Sequence, residues 1–203
     1  MFYCLFILVS MALICVFNAF FPYVAELKVW QIILITCLYT LSAIIVDGII
    51  AFIIRYLFPK KWFSEEKTGF AAGKKRSVFY EKLGIKRWKD FVVELGFFTG
   101  FSKSKIEDAN SSKYVARYIR EANYGVVIHI VSVFLGFVLL LFKFKYSLPF
   151  ALPVALVNAF LNLLPYFILR YNLRKLHVLY KYNKKKEQAA KFVENADNLD
   201  KTA

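Results

Sequence analysis

Two residues able to do acid–base chemistry stand where a polar segment enters an apolar run: Glu121 and, eight positions later, His129. At about 100° per residue they differ by about 80° around a helix, so both can face one cleft near a membrane surface. Imidazole titrates near neutrality and suits a general base, and a carboxylate can orient it or stabilise its cation. The plain alternative is a hydrogen-bonded structural histidine near a helix end. Further along, Asn158, Asn162 and Pro165 precede Arg170, Tyr171, Asn172, Arg174 and Lys175. A proline inside a helix deprives the carbonyl four residues earlier, at 161, of its donor, and Asn162 is close enough to help satisfy it. The Arg-Tyr-Asn group can clamp a phosphate or carboxylate; it can equally be a cationic anchor beside a belt tyrosine. Asp47 and Arg55 are also eight apart, about 12 Å along a helix axis and too far for a direct pair. Arg55 is expected to reach the interface, while Asp47 meets a polar group of another helix or belongs to a substrate site. No nucleotide loop, zinc spacing, serine elbow or HxxxxD motif is present. Cys4, Cys15 and Cys37 read as small apolar side chains, and no metal or cofactor is expected.

The elements that must position these residues are legible from apolar runs. Of the 203 residues 59% are hydrophobic, more than a small soluble domain can hide. Phe2–Val24, Val29–Phe58, Gly125–Phe142 and Tyr146–Leu169 are each apolar over a length near the roughly 20 residues that cross a bilayer core. Lipid offers the backbone no hydrogen bonds, so each run must be helical. The expected fold is an all-α integral membrane protein of about four transmembrane helices, with an interfacial amphipathic helical segment between the second and third. The first run has no cationic leader and no small-residue cleavage site, so it is expected to be kept as a span. The chain divides into 1–58 (two spans), 59–124 (a basic cytoplasmic or interfacial region), 125–169 (two spans) and 170–203 (a basic tail).

Charge sets the orientation. With 28 Lys and Arg against 14 Asp and Glu the net charge is +14. The excess is concentrated in 59–124 and 170–203, which places both regions, and both termini, at the cytoplasmic side of a multi-pass cell-membrane protein. The same charge attracts anionic lipid headgroups, and with no recognition motif beside it nucleic acid is not an expected partner. A helix over Phe79–Leu95 would set Leu83, Trp88, Phe91 and Leu95 against Lys82, Lys86 and Lys89, as in a helix lying in the headgroup layer; a small cytoplasmic domain is the alternative. A further helix is expected from about Lys113 into the third span, and fraying from Lys184 to the end. The sequon Asn110-Ser-Ser112 lies on the expected cytoplasmic side, away from glycosylation.

Several patches together resemble a known family. Pro59-Lys-Lys-Trp-Phe63 is followed by Phe79-Tyr-Glu-Lys-Leu-Gly-Ile-Lys-Arg-Trp-Lys-Asp90, then by Gly96 and Lys103, and later by Asn162, Pro165, Arg170-Tyr-Asn172 and Lys175-Leu176. Over about Pro59 to Leu176 the chain is similar to the glycosyl-4,4'-diaponeurosporenoate acyltransferases, small bacterial membrane proteins of staphyloxanthin-type carotenoid biosynthesis. The family's Glu-Thr-x-Arg-Ala-Glu-x-x-His-Trp stretch keeps its first Glu and its His as Glu121 and His129. Its Arg, second Glu and Trp are here Tyr124, Val126 and Ile130. The resemblance implies transfer of a fatty acyl group from a soluble thioester donor to a hydroxyl of a lipid-borne sugar or glycosylated carotenoid. It casts His129 as general base and Glu121 as its orienter, with Arg170, Tyr171, Asn172, Asn162, Trp88 and Lys89 as substrate contacts. Membrane lipids, an acyl donor and a lipid-borne acceptor are then the partners. The departures at 124, 126 and 130 favour the other class, a non-catalytic scaffold or assembly factor for a lipid-modifying complex. An enzyme calls for a lateral cavity on which His129 and Glu121 converge; a scaffold lets both pack away. Four spans without an internal repeat argue against a transporter.

Overall fold

The computed structural model describes residues 2–92, 108–142 and 146–200, which are helical and contain no strand. They form α1 (Phe2–Phe20), α2 (Val29–Tyr56), α3 (Lys74–Lys82), α4 (Ile85–Trp88), α5 (Ser112–Leu135) and α6 (Ser147–Asp200), and a 3₁₀ stretch, Gly136–Leu141, prolongs α5. Three stretches are long and apolar enough to cross a membrane: Val29–Tyr56, Ser112–Leu141 and Ser147–Phe192. The first apolar run makes a 19-residue helix, about 28 Å at 1.5 Å per residue and so just short of a hydrocarbon core of about 30 Å. Leu5, Leu8 and Leu13 of α1 and Leu34, Leu38, Leu41, Ile45 and Phe52 of α2 are all exposed. Water tolerates few apolar surfaces of that extent, whereas lipid is their natural solvent.

α5 and α6 are the central pair. Val115, Ile119, Ala122 and Val126 pack on Leu169, Leu173 and Leu176. α1 and α2 cover the start of α6, where Ile14, Ile32 and Ala43 meet Phe150 and Val154. Pro153 lies inside α6 and cannot donate to the carbonyl of Pro149. The buried amide of Asn18 on α1 supplies that donor at 3.1 Å, so a helix defect becomes an interhelical fastening.

Two expectations change. The continuous helix over Phe79–Leu95 is broken at Gly84, whose φ of 70° ends α3 in the left-handed conformation that glycine adopts without strain. Across the break Tyr80, Ile85 and Val92 are the residues buried against Ile168 and Tyr171 of α6, while Leu83 and Phe91 are exposed. Residues 93–95, with Gly96 and Lys103, lie outside the described residues. The tail from Lys184 does not fray before Asp200, because α6 runs 54 residues without a stop. Its sequence there is rich in good helix formers. Glu187 also anchors it to the start of α5, accepting from the Ser112 backbone N–H at 2.9 Å and its hydroxyl at 2.6 Å, a favoured place for a carboxylate. α5 itself opens at Ser112 with Ser111 as cap, its hydroxyl accepting from the Tyr114 N–H, close to the expected start at Lys113.

Candidate functional site

Asp47 of α2, His129 of α5 and Asn158 and Asn162 of α6 meet inside the bundle. The Asn162 amide donates to Asp47 Oδ2 at 2.8 Å and to the carbonyl of Asn158 at 3.1 Å. Asn158 Nδ2 donates to Asp47 Oδ1 at 3.3 Å. The polar group expected opposite Asp47 is thus this asparagine pair, one α6 turn apart. His129 Nδ1 lies 2.9 Å from Asn162 Oδ1. The Asp47 carboxyl oxygen accepts from the Asn162 NH₂, which turns that amide's nitrogen toward Asp47. Asn162 then presents its oxygen to His129, Nδ1 carries the proton, and the lone pair sits on Nε2. The chain Asp47–Asn162–His129 therefore fixes the tautomer a general base needs.

Glu121 has a different partner. Arg55 Nη1 donates to Glu121 Oε2 at 2.8 Å, and both side chains are largely shielded, at 24% and 19% exposure. The guanidinium also lies over the Tyr124 ring, 5.4 Å from its centroid, and Tyr124 stacks on Phe63 at 4.1 Å. Arg55 is therefore held by an acid of α5 instead of reaching alone for the interface. Where the family pattern has Arg, Tyr124 is a stacking surface, and the guanidinium beside Glu121 comes from α2. The orienting group at His129 Nδ1 is Asn162, and Glu121, about two turns away along α5, serves Arg55.

The remaining residues spread along the outer end of α6 and the segment packed on it. Trp88 Nε1 donates to the carbonyl of Leu83 at 3.0 Å, and Lys89 faces Asp90 at 3.4 Å. Tyr171 donates to Glu81 at 2.7 Å, with Lys175 4.7 Å from its ring centroid. That hydrogen bond, with Lys86 next, holds the Glu81 carboxyl below its ordinary range. Asn172 is half-buried beside them. Arg170 donates to the Tyr166 hydroxyl at 2.6 Å. Arg170 and Tyr171 thus gather at the α3–α6 contact, apart from the His129 network.

Gly136 was not singled out by the sequence, where it is one glycine in an apolar run. A Cβ built there would lie 2.8 Å from Asn158 Nδ2. Gly136→Ala is expected to push the Asn158 amide off Asp47 and cost about 1 kcal/mol. Thermal unfolding in detergent measures this, and an unchanged midpoint would show that Asn158 swings aside freely.

A small apolar cleft of about 40 Å³ lies between α1, α2 and α6, lined by Ile14, Ala43, Ile44, Val154, Val157 and Asn158 among others. Asn158 joins it to the network. Neither His129 nor Glu121 lines it, so the convergence expected of an enzyme is not found at this cleft.

The described residues form an all-helical bundle with three stretches long and apolar enough to cross a membrane around a hydrogen-bonded Asp47–Asn162–His129 chain. The glycosyl-4,4'-diaponeurosporenoate acyltransferase profile matches residues 59–182, more than half of the chain, and the protein belongs to that family. No curated protein and no solved structure matches the chain significantly.

Proposed function

We propose that the protein transfers a fatty acyl group from a thioester donor to a hydroxyl of a lipid-borne sugar or glycosylated carotenoid, at the cytoplasmic face of the cell membrane. Its α1 acts as a fourth span in a slightly thinned bilayer, with both termini cytoplasmic and exposed Phe79, Leu83 and Phe91 in the headgroup layer. The observation that carries the reading is the Asp47–Asn162–His129 chain, which holds an imidazole as a base among apolar helices. His129 Nε2 takes the proton of the acceptor hydroxyl, and the oxygen attacks the thioester carbonyl. The carbon–sulfur bond breaks, and the departing thiolate takes the proton back. The cleft beside Asn158 takes the alkyl chain, while Arg170, with Trp88 and Lys89, meets the headgroup or the donor. Lipid mass spectrometry on cells with and without the protein tests this: a lipid gaining one acyl chain only with the protein is expected. No such species in cells supplied with glycosylated carotenoid would count against it.

The second reading is a non-catalytic scaffold for a lipid-modifying complex. What favours it is that Tyr124 and Val126, at two of the family's polar positions, are buried packing residues, and that the cleft is reached by neither His129 nor Glu121.

A further inference from the structure

Of the three arginines that the helices partly bury, Arg55, Arg170 and Arg174, the first two are treated differently. Arg55 has a carboxylate partner in Glu121. Arg170 is half-buried and has only neutral ones: Nη1 donates to the Tyr166 hydroxyl at 2.6 Å and Nη2 to the Ala71 carbonyl at 3.4 Å. Its Nε is buried without a hydrogen-bond partner. Among the described residues no carboxylate pairs with it. A shielded guanidinium without a counter-charge gives up hydration that these two neutral hydrogen bonds replace only in part, and guanidinium cannot shed its proton to escape the cost.

The acid of the α3–α6 contact, Glu81, is taken by Tyr171 and Lys86, and the groups beside Arg170 add donors. Tyr166 accepts from Arg170, so its own O–H proton points elsewhere and can be donated. The guanidinium lies over the Tyr166 ring, 5.4 Å from the centroid, which fixes the pair. The segment before α3 is clasped to the same turn of α6, because the Ala72 N–H donates to the Arg170 carbonyl at 2.9 Å. That clasp brings in α3, whose Tyr80 is buried against α6 with its ring 5.2 Å from Phe167. Arg76, exposed and four residues before Tyr80, shares its helix face. Burial raises the Tyr80 phenol above its ordinary range, and the neighbouring Arg170 and Arg76 oppose that rise. α6 and the segment clasped to it therefore place Arg170 and Tyr166 beside α3, which carries Tyr80 and Arg76 on one face.

We propose that Arg170, Arg76, Tyr166 and Tyr80 form a binding site for a phosphate group. Guanidinium is the side chain whose planar donors match phosphate oxygens, and the phenols supply further donors. The phosphate belongs either to a phospholipid headgroup or to a soluble ligand such as the donor thioester. The inference deepens the substrate side of the acyltransferase reading, but its test measures binding, so either can fail without the other.

The test uses the full chain in neutral detergent, with thermal unfolding followed over inorganic phosphate against chloride at matched ionic strength. A phosphate-dependent rise in midpoint is expected, with apparent affinity about tenfold weaker or worse in Arg170→Gln. Tyr80→Phe and the exposed Arg76→Gln should weaken it without unfolding the protein, should Arg170→Gln fold poorly. Native mass spectrometry from nanodiscs of mixed phosphatidylglycerol and phosphatidylcholine separates the sources. Retained phosphatidylglycerol that is lost in Arg170→Gln assigns the site to a headgroup, and a phosphate response without it assigns a soluble ligand. No phosphate response and no retained phosphatidylglycerol in the wild type, or both unchanged across all three variants, overturns the site.

Discussion

Replacing His129 with glutamine is expected to lower acyl transfer about 100-fold or more while shifting unfolding by less than about 1 kcal/mol. The glutamine amide can donate to Asn162 Oδ1 as the imidazole Nδ1 does at 2.9 Å, so the link to Asp47 persists. What it lacks is a nitrogen that titrates near neutrality. A structural histidine and a catalytic one separate here. If the hydrogen bond is all that matters, glutamine supplies it, and both stability and any activity survive. If Nε2 takes the acceptor's proton, turnover falls and stability does not. Turnover would be read as acylated lipid by mass spectrometry, and stability by circular dichroism in the same detergent. Retained turnover would remove His129 as the base; a joint loss of turnover and stability would make it a packing residue.

The same contrast shows what a sequence can and cannot display. Bilayer thickness sets the length of a span, so the runs that became α2, α5 and α6 were visible as apolar stretches. A polar group in such a run is visible too, and so is its need for a partner, which is why Asp47 was expected to meet another helix. The partner's identity depends on how α6 is rotated against α2 and α5. That rotation is set by side-chain packing around Leu169, Leu173 and Leu176, which no spacing rule encodes. The angular arithmetic for Glu121 and His129 used one helix alone and missed that α2 and α6 each supply a closer partner. Arg55 looked like a snorkelling cation because Glu121 lies 66 residues away in sequence. Gly84 was legible as punctuation, since a glycine within a short amphipathic run often ends it; the apolar spacing of Leu83, Trp88 and Phe91 obscured that signal. The family patch was legible because its motif residues lie close together in sequence, whereas the Asp47 end of the relay lies outside the matched region.

Removing Glu121 alone is expected to cost about 2–3 kcal/mol, at or just below the low end of the roughly 3–5 kcal/mol for breaking a fully buried ion pair, because both partners keep some exposure. In Glu121→Ala the Arg55 guanidinium stays in a poorly hydrated layer with only the Tyr124 ring beside it, 5.4 Å from the centroid. Cation–π attraction offsets roughly 0.5–2 kcal/mol, less than the lost charge-assisted hydrogen bond together with the uncompensated desolvation. The Arg55→Met, Glu121→Leu double variant leaves no charge behind and fills similar volume, so it is expected within about 1 kcal/mol of the wild type. The double-mutant cycle, with Arg55→Met and Glu121→Leu as its single members, then yields a coupling of about 3 kcal/mol that belongs to the pair. Equilibrium unfolding in mixed micelles measures Glu121→Ala and the three variants of the cycle. A Glu121→Ala protein as stable as the wild type would mean that Arg55 reaches interfacial water unaided. A double variant as unstable as the sum of the singles would mean that the two side chains stabilise separately, through packing. The cycle also bears on catalysis: if Glu121 serves only to hold Arg55, the double variant keeps its acyl transfer, whereas a carboxylate needed by His129 would make it as inactive as His129→Gln.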